Sequence, residues 1–188
     1  MCVPSEQDHT PQRDGDLPGD ELQEPKPTVF GRVIDRIRLG RGIKIHGFEA
    51  MPTREVCETA RAFRLPIFVD VVSRPEVMDM LAPQYPDVDF IVAHLGSYTD
   101  DWRAHQQVVY QIARYSNVYA DTSAVRRFDY IVEAVKRAGP RKLLFGSDFP
   151  LITPDRWLKD FEEAGFKPEV RPLILKDNAV RLLGLGNG

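Results

Sequence analysis

The sequence predicts an α/β fold built on a parallel sheet, on the evidence of five short apolar runs and their spacing. Each run ends in a polar residue, in the order His46, Asp70, His94, Asp121 and Asp148. The intervals between these ends are 24, 24, 27 and 27 residues. Such a period is typical of a strand, a loop and a helix repeated along a parallel sheet. The runs are rich in Ile, Val, Leu and Phe, as expected for strands buried on both faces.

The segments between the runs have helical patterns. Thr53 can cap a helix that ends near Arg64, and Ser73 begins a capping-box pattern that ends at Glu76. In the second of these helices, we expect Met80 to face the core. Similar patterns predict four further helices, which lie after Thr99, from Phe128 to Ala138, after Thr153 and from Leu173 to Leu185.

Length, charge and cysteine content limit the classes of function. The chain has 188 residues, of which 43% are hydrophobic, and this is enough for one domain with a substantial core. A net charge of -3 gives no electrostatic reason to expect nucleic acid or an anionic membrane as a partner. There are two cysteines, no signal-peptide pattern and no apolar stretch of membrane-spanning length. We therefore expect a cytoplasmic protein whose partner is a small molecule.

Residues 1–27 differ in composition from the rest of the chain. They contain five prolines, and seven acidic residues against two basic ones give a net charge of -5. Such a segment buries too little apolar surface to offset its conformational entropy, so we predict a disordered tail. The sequence is thereby divided into an acidic, Pro-rich tail over residues 1–27 and a folded domain over residues 28–188.

The polar ends of the five runs predict where the chemistry lies. In parallel α/β sheets, ligands and catalytic groups are found at the carboxyl ends of the strands. Here those ends carry two histidines and three aspartates, which are residue types that bind metals and transfer protons. No G-x-G-x-x-G or Walker pattern follows any of the runs, and this argues against a nucleotide-binding sheet.

Three motifs resemble the last three strands of the amidohydrolase-related, metal-dependent hydrolases. They are Val92-Ala93-His94-Leu95-Gly96, the segment at residues 117–123, and Phe145-Gly146-Ser147-Asp148-Phe149-Pro150. Residues 42–46 and 65–70 are similar to the fourth and fifth strands of that family, and residues 178–183 resemble its closing helix. The resemblance covers about residues 30–185. It implies a TIM-type barrel, of which this chain has strands four to eight.

The resemblance also implies a divalent metal at the mouth of the barrel, zinc or alternatively manganese, and hydrolysis of a C–N or C–O bond in a small molecule. By position, Asp148 would be a metal ligand and the general base, and His94 would bind metal or orient water or substrate. Asp70 stands where the family usually has a metal-binding histidine, and aspartate also binds divalent metals. In the alternative, His94 is a hydrogen-bonded core histidine and the two aspartates cap loops.

Three further residues are candidates for binding the substrate. His46 ends the first run and faces the same mouth, and Arg126 and Arg127 follow the fourth run. The two arginines can grip a substrate carboxylate in bidentate fashion, or else form a solvated loop pair. For Asp121 we expect a structural, hydrogen-bonding role.

The sequence departs from the family pattern in two ways. The family has His-x-His at the end of its first strand, and no His-x-His occurs in this sequence. Five strands are visible, whereas a complete barrel has eight. We therefore expect a partial, truncated barrel that binds metal weakly and whose open edges favour homo-oligomers. Two alternatives to hydrolysis stay open: non-oxidative decarboxylation within the same superfamily, and an inactive fragment that serves as an interaction module.

Overall fold

The computed structural model describes residues 40–98, 100–150 and 153–186. The strands are β1 (Ile43–His46), β2 (Ile67–Asp70), β3 (Phe90–Val92), β4 (Val118–Asp121) and β5 (Leu143–Leu144). The helices between and after them are α1 (Arg54–Phe63), α2 (Glu76–Gln84), α3 (Trp102–Arg114), α4 (Phe128–Ala138) and α5 (Pro154–Glu163). The chain then forms α6 (Val170–Pro172), a π-helical turn (Leu173–Asp177) and α7 (Asn178–Leu182). The predicted tail over residues 1–27 and its boundary at residue 28 lie outside the described residues.

The five strands form one sheet in the order β1-β2-β3-β4-β5, and every neighbouring pair is parallel. Sequential strands are therefore neighbours, as expected when a helix follows each strand and returns the chain to the same edge. In the register of the sheet, His46 at the end of β1 lies opposite Asp70 at the end of β2. The carboxyl ends of the strands thus lie along one edge, and the prediction of about five parallel strands is confirmed.

One face of the sheet packs against α1 to α5 and forms the main core. Alternate strand residues such as Ile67, Val69 and Phe90 are fully buried there. Each such side chain contributes roughly 1.5–3 kcal/mol through removal of apolar surface from water. Because the side chains of a strand alternate between faces, the next residues along each strand point to the other side of the sheet.

The opposite face is covered by the last helix. Ile91, Tyr119 and Leu144, from the three strands β3 to β5, form a second buried cluster with Leu182 of α7. In a barrel this face lines the interior. Residues at its carboxyl edge, beyond the apolar cluster, are the polar strand ends that the sequence identified.

Two predictions for the helix α2 are wrong. Its N-terminus has no side-chain cap, because Pro75 occupies the N-cap position and Ser73 has φ 56°, in the left-handed region and not in the extended conformation of an N-cap residue. Met80 is 64% exposed, and Met78 is buried in its place. The helix begins at Glu76 without the capping box. Its other apolar residues Val77 and Leu81 do pack against the main core, so Met80 alone is misplaced. For α1 the prediction is confirmed: Thr53 Oγ1 accepts a hydrogen bond from the Val56 N–H.

Candidate active site at the carboxyl edge of the sheet

A cavity of about 540 Å³ opens at the carboxyl edge of the sheet. All five polar strand ends identified in the sequence line it, together with Lys44, Phe48, Tyr98 and Ser123. Its size lies within the range of ordinary small-molecule sites. The five polar ends are separated by about 100 residues along the chain, and the parallel topology brings them to one place.

Asp70 lies at the centre of the polar contacts in this cavity. Its side chain is almost fully buried, and Oδ1 accepts a hydrogen bond from the Val72 N–H at 2.9 Å. The other oxygen, Oδ2, lies 3.5 Å from His46 Nε2 and 3.8 Å from His94 Nε2. The carboxylate is therefore fixed at one oxygen and presents the other oxygen to two imidazole rings.

The hydrogen bonds of His94 define which of its nitrogens faces the cavity. Nδ1 lies 3.0 Å from the Ser123 carbonyl oxygen, which can only accept, so Nδ1 carries a proton. In the neutral ring this leaves the lone pair on Nε2, the nitrogen that faces Asp70. Metal-binding histidines commonly have this arrangement, because a carbonyl on one ring nitrogen fixes the orientation of the other.

The backbone that carries His94 is held in an uncommon conformation. The residues after β3 form a tight turn in which His94 has φ 58° and Leu95 has φ 47°, and both values lie in the left-handed region. Non-glycine residues adopt this conformation only where their surroundings enforce it. The His94 N–H donates to Asp121 Oδ1 at 2.7 Å, and buried His105 donates from Nδ1 to the Leu95 carbonyl at 3.0 Å.

Asp121 has the structural role that the sequence favoured. One of its oxygens, Oδ1, accepts from the His94 N–H, from the Ser123 N–H at 3.0 Å and from the Ser123 hydroxyl at 2.6 Å. The Ser123 Oγ also lies 2.9 Å from His94 Nδ1. Asp121 and Ser123 thus connect β4 to the turn that presents His94.

His46 and Asp148 occupy the more open side of the cavity. His46 Nδ1 accepts from the Phe48 N–H at 3.4 Å, so its Nε2 carries the proton and points a donor at Asp70. Asp148 is exposed and has φ 57°, and its carboxylate makes no hydrogen bond or ion pair within the described residues. Among the five strand ends, Asp148 is therefore the one whose carboxylate is left open to solvent or a ligand.

The two predicted substrate arginines do not line this cavity. Arg127 forms a bidentate pair with Asp129 at 2.6 and 3.2 Å and lies over the Tyr130 ring, and Arg126 is exposed. A cation that does line the cavity is Lys44, which lies on the same face of β1 as His46. Alternation of side chains along β1 is the sequence signal for this position.

The side chains that line the cavity include donor atoms of the types that bind divalent metals. Two lone-pair donors, Asp70 Oδ2 and His94 Nε2, face each other, and Asp148 lines the same space. Carboxylate and neutral imidazole are ordinary ligands of zinc and manganese. However, no group of three or more His, Cys, Asp or Glu side chains in the described part of the chain is arranged to hold a metal ion. The described side chains therefore provide two facing donor atoms, with Asp148 lining the same cavity, and do not form a three-ligand group.

Comparison with known proteins identifies the family. The family model described as Amidohydrolase matches residues 35–185. The chain belongs to the amidohydrolase family. This confirms the predicted family. None of the curated protein sequences compared with this chain matches it significantly.

Solved structures share the fold of this amidohydrolase at low sequence identity. An uncharacterised TIM-barrel protein from Bordetella bronchiseptica has a TM-score of 0.68 and 18% identity, over 82% of this chain and 61% of that chain. An amidohydrolase from Burkholderia multivorans with bound zinc has a TM-score of 0.66 and 15% identity, over 81% and 69%. A dihydroxybenzoic acid decarboxylase from Polaromonas sp. JS666, with bound manganese and an inhibitor, has a TM-score of 0.53 and 19% identity, over 73% and 56%.

These likenesses establish the fold as part of a TIM-type barrel. The chain spans 56% to 69% of the length of these three structures. No helix in the described part of this amidohydrolase is both long enough and apolar enough to cross a membrane. The predicted location in the cytoplasm and the predicted homo-oligomer stay predictions.

Proposed function

We propose that this amidohydrolase is a metal-dependent hydrolase that cleaves a C–N or C–O bond of a small molecule in the carboxyl-edge cavity. The observation that carries the proposal is the meeting of Asp70, His94 and Asp148 in one cavity, with the His94 Nε2 lone pair turned towards the Asp70 carboxylate. The family match and the zinc-containing fold relative support the same class of chemistry.

In this proposal Asp70, His94 and Asp148 would hold a divalent metal, zinc or alternatively manganese, after their side chains close around it, because in the described arrangement they do not form a three-ligand group. Such a cation supplies Lewis acidity and lowers the pKa of water to about 7. We expect weak binding, because the described residues offer few donors and no His-x-His is present in the sequence. Affinity in the micromolar range or weaker would agree with this donor set.

The proton transfers are assigned to residues of the chain. Asp148 accepts the proton of the attacking water, because its exposed carboxylate has no other partner among the described residues. Ser123 holds Nδ1 of His94, so that the Nε2 lone pair faces the cavity and would bind the metal. Where His94 does not bind the metal, the same lone pair would accept a hydrogen bond from the attacking water and orient it. Asp70 is fixed at Oδ1 by the Val72 N–H, and its Oδ2 faces the metal position and the His46 Nε2–H.

Substrate binding is assigned to the open side of the cavity. His46 can donate a hydrogen bond from Nε2, and the nearby Lys44 supplies positive charge on the same face of β1. Binding by Arg126 and Arg127 stays part of the proposal, but Arg127 would first have to leave Asp129.

Decarboxylation of a small carboxylic acid is the second candidate. The cavity is lined by the cation Lys44 and by the rings of Phe48 and Tyr98, a combination that fits a planar carboxylate. A fold relative is also named as a decarboxylase with bound manganese. The third candidate, an inactive interaction module, is not favoured by the family match, and it predicts no turnover under any metal.

One experiment separates the three candidates. The purified chain is stripped of metal, supplied with Zn²⁺ or Mn²⁺, and assayed against a panel of esters, lactones, amides and hydroxylated aromatic acids. Release of acid without CO₂ supports hydrolysis, and release of CO₂ supports decarboxylation. Asp148→Asn should reduce the rate at least a hundredfold, whereas the control Asp155→Asn, an exposed carboxylate outside the cavity, should keep it. Turnover that is independent of metal and of Asp148 would contradict the proposal.

A further inference from the structure

A basic groove lies at the opposite, amino-terminal edge of the sheet. Two adjoining cavities of about 460 and 310 Å³ share Arg64, Leu65, Pro66, Asp89 and Leu182 among their lining residues. Leu65 and Pro66 lead into β2, and Asp89 leads into β3, so the groove is at the far end of the strands from the candidate active site. We call these two cavities together the amino-edge groove.

Positively charged side chains outnumber negatively charged ones among the residues that line the amino-edge groove. Arg61 is already paired with Glu58 and Asp87, each at 3.0 Å. Three other arginines, Arg41, Arg64 and Arg181, line the larger cavity, and Asp89 is the one carboxylate among its lining residues. The groove therefore presents a net positive charge to any molecule inside it.

The fold brings these three arginines together from separate parts of the chain. Arg41 precedes β1, Arg64 follows α1 in a left-handed conformation with φ 53°, and Arg181 belongs to α7. Their convergence is a property of the tertiary structure and not of a basic run in the sequence.

Most of the hydrogen-bond donors of these arginines remain available. Arg181 donates to the Arg141 carbonyl at 3.1 Å and lies over the Tyr119 ring, contacts that restrain its guanidinium group. Arg41 donates to the Gly184 carbonyl at 3.5 Å. Each guanidinium has five N–H donors, and a planar pair of them matches a carboxylate or phosphate. The Arg64 side chain makes no hydrogen bond or ion pair with the described residues.

We propose that the amino-edge groove binds a small anion with at least two negative charges, through Arg41, Arg64 and Arg181. The buried side chains of Pro66 and Leu182 form an apolar floor beneath the charges. A compact polycarboxylate or phosphate matches this combination of volume and charge. This site is independent of the proposed hydrolase activity, because it uses none of the residues of the carboxyl-edge cavity.

Two sources can supply the anionic groups. One is a free small anion. The other is the chain itself, because residues 1–27 have a net charge of -5 and the described chain begins at Gly40, which lines the groove. Both sources share the same chemistry, namely carboxylate or phosphate oxygens on guanidinium groups, and the experiment distinguishes them.

The test is a ¹H–¹⁵N NMR titration of the full chain with citrate and, separately, with inorganic phosphate. We expect saturable shifts of the amides of Gly40, Leu65 and Gly184 in the groove, and none at Gly47 near the active site. Arg64→Asn, a residue suited to the left-handed conformation, and Arg181→Gln should each weaken binding at least tenfold. Arg54→Gln, an exposed arginine at the other end of α1, is the matched control and should bind as the wild type does.

A second arm identifies the source of the anion. The triple variant Asp20→Asn, Glu21→Gln, Glu24→Gln is titrated in the same way. Tighter citrate binding, with groove amides already shifted before citrate is added, assigns the groove to the chain's own carboxylates. Unchanged affinity assigns it to a free anion. Shifts that do not saturate in the wild type, or that survive unchanged in both arginine variants, overturn the proposal.

Discussion

The buried histidine of α3 offers the sharpest test of how the site is supported. His105 is fully buried, donates from Nδ1 to the Leu95 carbonyl at 3.0 Å and stacks on Tyr130 with 4.6 Å between ring centres. Its hydrogen bond reaches the strained turn that presents His94. Replacing it by phenylalanine keeps the stacked ring and removes the hydrogen bond.

The expected loss of stability at pH 7.5 follows from the carbonyl left without a donor. An unsatisfied buried acceptor costs about 1–3 kcal/mol. His105 Nε2 has no partner among the described residues, and its removal offsets part of this cost. We therefore expect His105→Phe to lower the free energy of unfolding by about 1–2 kcal/mol. His105→Ala should lower it by about 2 kcal/mol more, because it also leaves a cavity beside Tyr130.

The same variant makes a prediction about pH. Burial lowers the pKa of His105, and this effect outweighs the hydrogen bond to Leu95 and the charge of Asp100, which both raise the pKa. The unfolded chain therefore takes up a proton at this histidine at a higher pH than the folded chain does. Wild-type stability from this site is present above a pH of about 6.5 and falls below it, by at most about 1.4 kcal/mol per pH unit. His105→Phe lacks this titrating group and has no such loss. The difference in the free energy of unfolding between the wild type and His105→Phe should therefore be smaller at pH 5 than at pH 7.5.

Urea denaturation at the two pH values, followed by circular dichroism, measures both effects. NMR of His94 in the variant reports whether the turn is disturbed, since its Nδ1 proton is held by Ser123. Equal stability of the wild type and His105→Phe at pH 7.5 would refute the hydrogen-bond argument. A gap that widens towards pH 5 would refute the assignment of His105 as a neutral buried group.

Three further predictions concern other parts of the scaffold. Asn117→Ala should lower the free energy of unfolding by at least about 2 kcal/mol, because the Asn117 side-chain amide donates to three buried carbonyls. A loss below about 0.5 kcal/mol in urea denaturation would contradict this. Gly47→Ala should lower the melting temperature and shift the NMR signals of Asp70, because a Cβ at Gly47 would lie 2.3 Å from the Asp70 carbonyl oxygen. Unchanged Asp70 signals would contradict this close contact between the residues that follow β1 and the end of β2. Burial raises the pKa of Cys57 to about 11, so its contribution to stability is present at neutral pH and lost as the pH rises towards 11. Its alkylation by iodoacetamide at pH 8, followed by mass spectrometry, should be far slower in the folded chain than in urea, and equal rates would exclude this burial.

The strands could be predicted from the sequence because their signal is local. The predicted ends of β1, β2 and β4 coincide with the structure at His46, Asp70 and Asp121. The strand β3 ends at Val92, two residues before the predicted His94, because the backbone turns into the left-handed region there. That turn depends on Asp121 and His105, which are distant in the sequence, and no local pattern encodes it.

The position of the candidate site could be predicted from the parallel topology of the sheet, whereas the hydrogen bonds within the site could not. The five polar residues meet in one cavity because parallel strands share an edge, and this was predicted. Three of them end strands, whereas His94 and Asp148 lie two and four residues beyond the ends of β3 and β5. The bonds from Ser123 to His94 and to Asp121 depend on the rotamers and on the turn after β4. The capping box at Ser73 failed because the backbone turns into the left-handed region at Val72 and Ser73, with φ 47° and 56°, so that Ser73 does not have the conformation of an N-cap residue.

The most direct test of the proposed function is calorimetric titration of the metal-free chain with Zn²⁺ and with Mn²⁺. We predict one binding site of micromolar or weaker affinity, weakened at least tenfold in Asp70→Asn and in Asp148→Asn and unchanged in Asp129→Asn. The metal should be lost on dialysis against a chelator. Saturable binding that is the same in all three variants, or no saturable binding of either metal, would contradict the assignment of the carboxyl-edge cavity as a metal-dependent active site.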